Sequence, residues 1–274
     1  MSYSRFRILF SATLAFMLVF AGVSCSSQKK GDDQGPGAVI SQNNGGAAGG
    51  GTMMPNYPKG SNPNVSLTST GGGRGISYSR VNTPAPYIAM TFDDGPHPRL
   101  TPRLLDILRE RNIRATFYVV GRNAKLYPHL IQRMVAEGHE VGNHTWNHPN
   151  LTKLSDAAVH KELRTTEDAI VAACGVRPRT MRPPYGALRQ SQRAMIKSQY
   201  DYPTILWDVD PQDWRRPGPA VVANRIVSKT RNGSIVLAHD IHSSTIDAMP
   251  AALDGLLSKG YTFVTVSQLL TQEP

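Results

Sequence analysis

The sequence predicts an α/β fold in which short parallel strands close, or nearly close, into a barrel. Three observations lead there. Seven short β-favouring apolar runs recur, at 87–92, 116–120, 140–142, 180–182, 204–207, 234–238 and 261–265. Helix-like stretches separate most of them, and strands that alternate with helices pair in parallel through right-handed crossovers. Seven such units in about 180 residues suit a barrel better than an open doubly wound sheet. Polar residues gather at the ends of five of the runs, the edge where parallel barrels carry their chemistry.

The elements follow in order. The first run ends at Asp93-Asp94. Thr101 as N-cap and Pro102 at the first helical position start a helix with Leu104, Leu105 and Leu108 on one face. Tyr127-Pro128 starts the next, with Leu130, Ile131, Met134 and Val135 inward and Gly138 closing it. Ser155 caps a third that carries Val159, Leu163 and Ile170, and 219–229 and 248–257 supply two more. Trp146 and Trp207 are read as core, and His97, His129 and His139 as surface or packing residues.

The N-terminal part is of another kind. Arg5 and Arg7 precede an apolar run from Ile8 to Val23 and then Ser24-Cys25, the order of an export signal. The run is short for a permanent span and ends in small residues, so cleavage is expected. Gly22-Val23-Ser24-Cys25 resembles a bacterial lipobox, in which the cysteine is lipidated, although Gly22 stands where leucine is usual. Residues 1–24 are therefore read as an export signal, 25–84 as a flexible tether rich in Gly, Ser, Asn and Pro, and 85–274 as the catalytic domain. The product is expected to be exported, either as a membrane-anchored lipoprotein facing the periplasm or cell exterior or in secreted form. Cys25 and Cys174 are the only cysteines, so the domain is not built on disulfides, and Cys174 reads as a small buried hydrophobe.

The net charge is +10, falling to +8 once Arg5 and Arg7 leave with the signal. In an exported chain that favours anionic surfaces, a cell wall or lipid headgroups. The basic residues are scattered without the aromatic stripe of a single-strand binder, so no nucleic-acid partner is expected. A monomer is expected.

His144 and His148, four apart, can sit on one helical turn and aim at a single point. With one carboxylate from elsewhere they compose a catalytic zinc site that leaves room for water and substrate. Asp93-Asp94 would supply that carboxylate and a second one to act as base. Each motif alone has a plainer reading, since Asp-Asp-Gly-Pro is also turn chemistry and His148 could be solvated. Their placement decides. Asp93-Asp94 end the first run, His144 follows the third, Arg182 ends the fourth, Asp208 and Asp210 follow the fifth, and His239 ends the sixth. The combination points to metal-assisted hydrolysis.

On these residues the chain resembles the polysaccharide deacetylase family, the NodB-homology domain of carbohydrate esterase family 4, over about residues 86–272. Five motifs carry the resemblance in family order: Thr91-Phe92-Asp93-Asp94-Gly95, His144-Thr145-Trp146-Asn147-His148, Arg182-Pro183-Pro184-Tyr185, Asp210-Pro211-Gln212-Asp213-Trp214 and Leu237-Ala238-His239. The resemblance implies a distorted (β/α)7 barrel and a divalent metal, usually zinc with cobalt as the alternative, held by Asp94, His144 and His148. Asp93 is then the base, Arg182 its orienting partner, His239 the acid, Asp210 the carboxylate that tunes the acid, and the Tyr185 backbone N–H an oxyanion donor. Trp214 and Leu237, beside Tyr185, would form the substrate pocket for the acetyl methyl. Asp213 reads equally as a turn residue or a site residue. The expected partner is an N-acetylated wall polysaccharide, first the N-acetylglucosamine of peptidoglycan, then chitin or its oligosaccharides, then acetylxylan. A membrane partner follows if Cys25 is acylated. A catalytically silent wall-binding protein on the same barrel is the reading from another class.

Overall fold

The computed structural model describes residues 75–273. The export signal, Cys25 and most of the tether lie outside the described residues.

Among the described residues seven strands and eight α-helices follow one another: β1 (Ser77–Tyr78), β2 (Tyr87–Asp93), α1 (Leu100–Glu110), β3 (Thr116–Val119), α2 (Gly121–Leu126), α3 (Pro128–Ala136), β4 (Glu140–Asn143), α4 (Asp156–Cys174), α5 (Gln190–Tyr200), β5 (Thr204–Ile205), α6 (Pro219–Lys229), β6 (Ile235–His239), α7 (Ser243–Ser258), β7 (Thr262–Phe263) and α8 (Val266–Leu270). The strand pairings are parallel: β4, β3, β2 and β6 lie side by side, β7 pairs with the start of β2, and β1 pairs with β5. Met181 pairs singly with Asn143 on one side and Thr204 on the other, joining the two sheets. Arg80 meets Ser234 at the start of β6 and completes the ring. The result is the distorted barrel the strand count implies.

Side-chain alternation along β2 separates two environments. Ile88, Met90 and Phe92 pack outward into a core with residues of α1, α3, α6 and α7, while Ala89 joins Tyr78, Tyr118, Ile205 and Ile235 in a separate inner core. Thr91 and Asp93 share the inner face of Ala89 by the period of two. The same alternation on β6 turns Val236 and Ala238 outward and leaves Leu237 and His239 on the inner face with Ile235.

Several boundaries differ from the sequence reading. The tether does not run to residue 84, because Tyr78, Val81 and Thr83 are buried and β1 supplies a stave of the barrel. Val81 also donates its N–H to the Gly233 carbonyl, and a Cβ on Gly233 would fall 1.8 Å from the Val81 oxygen. A two-residue strand carries too little alternation to stand out from a Gly-rich approach. The run at 180–182 shrinks to the single pairing residue Met181, since Pro178 ahead of it and Pro183-Pro184 behind it offer no ladder N–H.

Thr101 is not the N-cap of α1. Arg99 holds that position without a capping side chain, and His97 ahead of it satisfies the helix start, its Nδ1 accepting the Arg99 and Leu100 N–H groups while its own backbone N–H donates to Thr101 Oγ1. Ser155 does cap α4, accepting the Ala158 N–H, and Pro128 opens α3. Helix α7 starts at Ser243, ahead of the expected 248, because its first turn is polar although Thr245 and Ile246 are buried. Helices α2 and α5 bury only two residues each, so neither shows a readable apolar stripe. Trp146 and Trp207 are half-buried rather than core.

Candidate active site

The ends of β2, β4, β5 and β6, with the single bridging residue Met181, deliver the polar groups. Asp93 and His239 are register partners on β2 and β6, and Asp93 also pairs with Tyr118 of β3. Next to Asp93, Asp94 turns into the left-handed region at φ 75°. That swings its carboxylate away from the direction strand alternation would give it, and the Asn123 side-chain amide holds the Asp94 carbonyl at 2.9 Å.

His144 and His148 do not share a helical turn. They lie in the loop after β4, where Thr145 and His148 both take positive φ, 67° and 59°. Two side chains stabilise this turn: Asn143 Oδ1 accepts the Thr145 N–H, and Thr145 Oγ1 accepts the His148 N–H at 3.1 Å. The imidazoles end 5.0 Å apart between ring centres, so an i, i+4 spacing converges here through left-handed backbone.

Asp94 Oδ1 lies 3.4 Å from His144 Nε2 and 3.2 Å from His148 Nε2. These are the atoms of a group that could hold a metal ion. Two further facts fit a cation. Asp94 Oδ1 is buried without a hydrogen-bond partner, a costly state for a carboxylate oxygen unless a cation completes it. His144 Nδ1 lies 2.7 Å from the Arg182 carbonyl, which can only accept. Nδ1 therefore carries a proton in either charge state, and the ring when neutral presents its Nε2 lone pair to the site. Burial works against ionising Asp94, yet the adjoining His144 imidazole first, with the charges of His239 and His148, holds its pKa far below the usual range. Burial opposes charge on His144, but the Asp93 and Asp94 carboxylates raise its pKa. They favour a second proton, on Nε2, and a cation arriving there would have to displace it.

Arg182 is the organising cation. Its side chain is 0% exposed, a placement that requires complete pairing. One Nη donates to Asp93 Oδ1 at 2.7 Å and to Thr91 Oγ1 at 2.6 Å. The other donates to the Leu206 carbonyl at 2.9 Å and Nε to the Ile205 carbonyl at 3.3 Å, while Tyr118 stacks on the guanidinium at 4.4 Å. Asp93 Oδ2 is left facing His144 Nε2 at 3.8 Å.

Opposite stands His239, and here one sequence assignment fails. The carboxylate holding His239 belongs to Asp213, not Asp210: Asp213 Oδ1 lies 2.9 Å from His239 Nδ1, and Oδ2 accepts the His239 backbone N–H at 2.8 Å. Asp210 turns back on its own loop and accepts the Gln212 N–H at 2.7 Å, which sets the turn that delivers Asp213. Asp208 caps the start of β6 through Ser234 and the Ile235 N–H. No local signal separates the two acids: Asp213 opens the short turn 213–215 directly after Gln212 in left-handed backbone, and that turn carries its carboxylate to His239. Burial disfavours the His239 cation, but the bond to and charge of Asp213, helped by Asp93 and Asp94, raise its pKa to about 9.

The rim is aromatic. Tyr185 sits at φ 60° in the turn after Pro183-Pro184, 68% exposed, its ring 4.7 Å from that of His148. Trp214 is 47% exposed with the Arg215 guanidinium 4.6 Å over it, and Leu237 is buried on the inner face of β6 below His239.

A parallel barrel whose strand ends assemble an Asp-His-His group beside an arginine-bound aspartate and a carboxylate-bound histidine defines the class, and the comparisons agree with it. Residues 80–204 match the family model for polysaccharide deacetylase. The chain is 41% identical over 182 residues to the peptidoglycan-N-acetylglucosamine deacetylase PgdA of Listeria monocytogenes, covering 66% of this chain but only 38% of that protein. It is 45% identical over 154 residues to a chitooligosaccharide deacetylase of Bradyrhizobium sp., covering 56% of this chain and 70% of that one. The crystal structure of the Bc1960 peptidoglycan N-acetylglucosamine deacetylase superposes with a TM-score of 0.69 at 30% identity, over 73% of this chain and 95% of the other. The chain belongs to the polysaccharide deacetylase family.

Proposed function

We propose that this protein is a metal-dependent hydrolase that removes N-acetyl groups from cell-wall glycan, with the N-acetylglucosamine of peptidoglycan as substrate. One observation carries the reading: Asp93, aligned by Arg182, and His239, aligned by Asp213, are register partners on adjacent strands beside the Asp94, His144 and His148 group. Amide hydrolysis needs an activated water, a stabilised oxyanion and a proton for the leaving nitrogen, and each has a candidate.

A divalent cation held by Asp94, His144 and His148, with zinc the first choice and cobalt the alternative, would polarise the acetyl carbonyl and acidify the attacking water. Asp93 takes the proton of that water on Oδ2, the oxygen Arg182 leaves free. The Tyr185 backbone N–H, fixed by its left-handed turn, donates to the developing oxyanion. His239 then gives a proton to the leaving amine, and its raised pKa keeps it charged at neutral pH. Trp214 and Leu237 receive the acetyl methyl.

The similarity to a chitooligosaccharide deacetylase supports a second reading, in which the same chemistry acts on chitin oligomers. Acetylxylan esterase activity ranks third. Acetate release from peptidoglycan, chitin oligomers and acetylxylan, before and after dialysis against a chelator, tests the assignment. Peptidoglycan should release most, and Asp93→Asn should lower kcat by about 10²–10⁴ while retaining metal. No release from any of the three would leave a wall-binding protein, and loss of metal in Asp93→Asn would exchange the roles of Asp93 and Asp94.

We further propose that the chain is exported and anchored through a lipid on Cys25. The basic, apolar and small-residue order of residues 5–25 supports this. Clickable palmitate should label the protein and not its Cys25→Ser variant, and an unlabelled product beginning at or after Ser26 would indicate plain secretion.

A further inference from the structure

Arg215-Arg216 is the chain's only pair of adjacent arginines, and the fold sets it at the mouth of the site. It belongs to the turn that begins at Asp213, the residue bonded to His239. The turn is held from both ends. Gln212 and Arg216 both adopt left-handed backbone, φ 56° and 54°, and the Arg216 N–H returns to the Asp213 carbonyl at 2.8 Å. Arg225 of α6 donates to the Pro211 carbonyl at 2.9 Å and ties the approach to the barrel wall.

Both arginines are exposed, and neither forms an ion pair among the described residues. The nearby carboxylates are engaged elsewhere: Asp213 with His239 and Thr245, Asp210 with its own turn, Asp208 with Ser234 and Arg231. Arg215 lies over the exposed face of Trp214, so charge and apolar surface form one platform. The charge of Arg216 reaches His242, whose ring centre is 6.1 Å from that of His239. Two exposed cations on a turn anchored through its backbone, beside a site that otherwise handles a neutral acetamide, are not required by the hydrolysis itself.

We propose that Arg215 and Arg216 recognise carboxylates carried by the glycan near the reacting sugar, so that the site selects an anionic, peptide-bearing glycan over a neutral one. This rests on the deacetylase reading and deepens it, because it separates the two leading substrates by charge. Peptidoglycan strands carry carboxylates on the stems attached to alternate sugars, whereas chitin oligomers carry none. A guanidinium pair offers several N–H donors in planar forks suited to carboxylates. Being exposed, each such contact is worth at most about fivefold and is screened by salt.

The test uses three substrates: a soluble peptidoglycan oligomer with its stem peptides, the same oligomer with its carboxylates amidated, and chitotetraose. Acetate release gives kcat/KM for each, and fluorescence anisotropy of the labelled oligomers gives their binding. The wild type should prefer the anionic oligomer over its amidated form, and less so as salt rises. In Arg215→Gln/Arg216→Gln that preference should fall about 5–20-fold, mainly through KM. Lysine at both positions should restore part of it. Taking the ratio cancels any general loss from disturbing Trp214. An unchanged ratio in the double variant, or a wild type indifferent to amidation, would overturn the proposal. Absence of acetate release from all three would instead sink the deacetylase reading, and the anisotropy preference would still decide this one.

Discussion

Asp213 grips His239 twice, one oxygen on the imidazole Nδ1 at 2.9 Å and the other on the backbone N–H at 2.8 Å. The second bond fixes the carboxylate so that the first cannot swing away, and Thr245 Oγ1 adds a third at 2.8 Å. Burial penalises the imidazolium, but this carboxylate outweighs it and lifts the His239 pKa to about 9. The acid form is required, so kcat/KM should fall as pH rises past that value. In Asp213→Asn the burial penalty acts with less opposition, and the basic limb should move to lower pH, costing about tenfold in rate above the limb for each unit it moves. Asp210→Asn should leave the limb in place. A pH profile of the two variants decides between the carboxylates, and a limb that moves only in Asp210→Asn would reverse the assignment.

His239 itself is tested by the leaving group. An amide nitrogen cannot depart without a proton, whereas an activated aryl alkoxide leaves readily. His239→Ala should therefore lose about 10²–10⁴ in kcat on an N-acetyl sugar and far less on an aryl acetate. Equal losses on both would make His239 a substrate or oxyanion contact instead.

Much of this architecture could be read from the chain, because its signals were local. Pro128 and Ser155 announce their helices through cap chemistry, and apolar runs ending in Asp93 or His239 announce strand edges. The residues that escaped depend on long-range geometry. β1 is too short to show a period and matters only through its pairing with β5. Asp210 and Asp213 are both acids in one motif, and only the left-handed turn at Gln212 decides which of them reaches His239. The meeting of His144 and His148 was legible as spacing, but two positive-φ residues achieve it where a helix was expected.

Arg182 should show the largest stability effect in the site. Its cation is sealed between Asp93, three oxygens and the Tyr118 ring. Arg182→Met would leave the Asp93 carboxylate and the Leu206 and Ile205 carbonyls buried without their donor, at a cost of about 3–5 kcal/mol. Adding Asp93→Asn removes the stranded charge and should recover part of that loss. Urea denaturation of the two variants measures both. A single variant within about 1 kcal/mol of wild type would show that solvent reaches Asp93 once Arg182 is gone.

His139 provides a pH test away from the chemistry. It lies just before β4, and its Nδ1 accepts the Ala115 N–H at 3.1 Å, a bond only the unprotonated nitrogen can take. Burial first, and then the charges of Arg133 and Arg114, push its pKa down to about 4 from the ordinary 6.5. Above pH 6.5 both folded and unfolded chains hold it neutral, so it imposes no pH dependence there. Between 6.5 and 4 the unfolded chain binds a proton that the folded one refuses, and stability drains as pH falls. The full loss is about 3 kcal/mol, at 1.36 kcal/mol per unit of pKa difference. His139→Gln offers no titrating group at this position, so its stability should decline less between pH 6.5 and 4.5 although it starts lower. Urea midpoints for both proteins across that window measure the difference, with the carboxylates common to both cancelling out. Parallel slopes would mean that the folded chain accepts the proton on His139 and that the Ala115 bond does not hold the imidazole neutral.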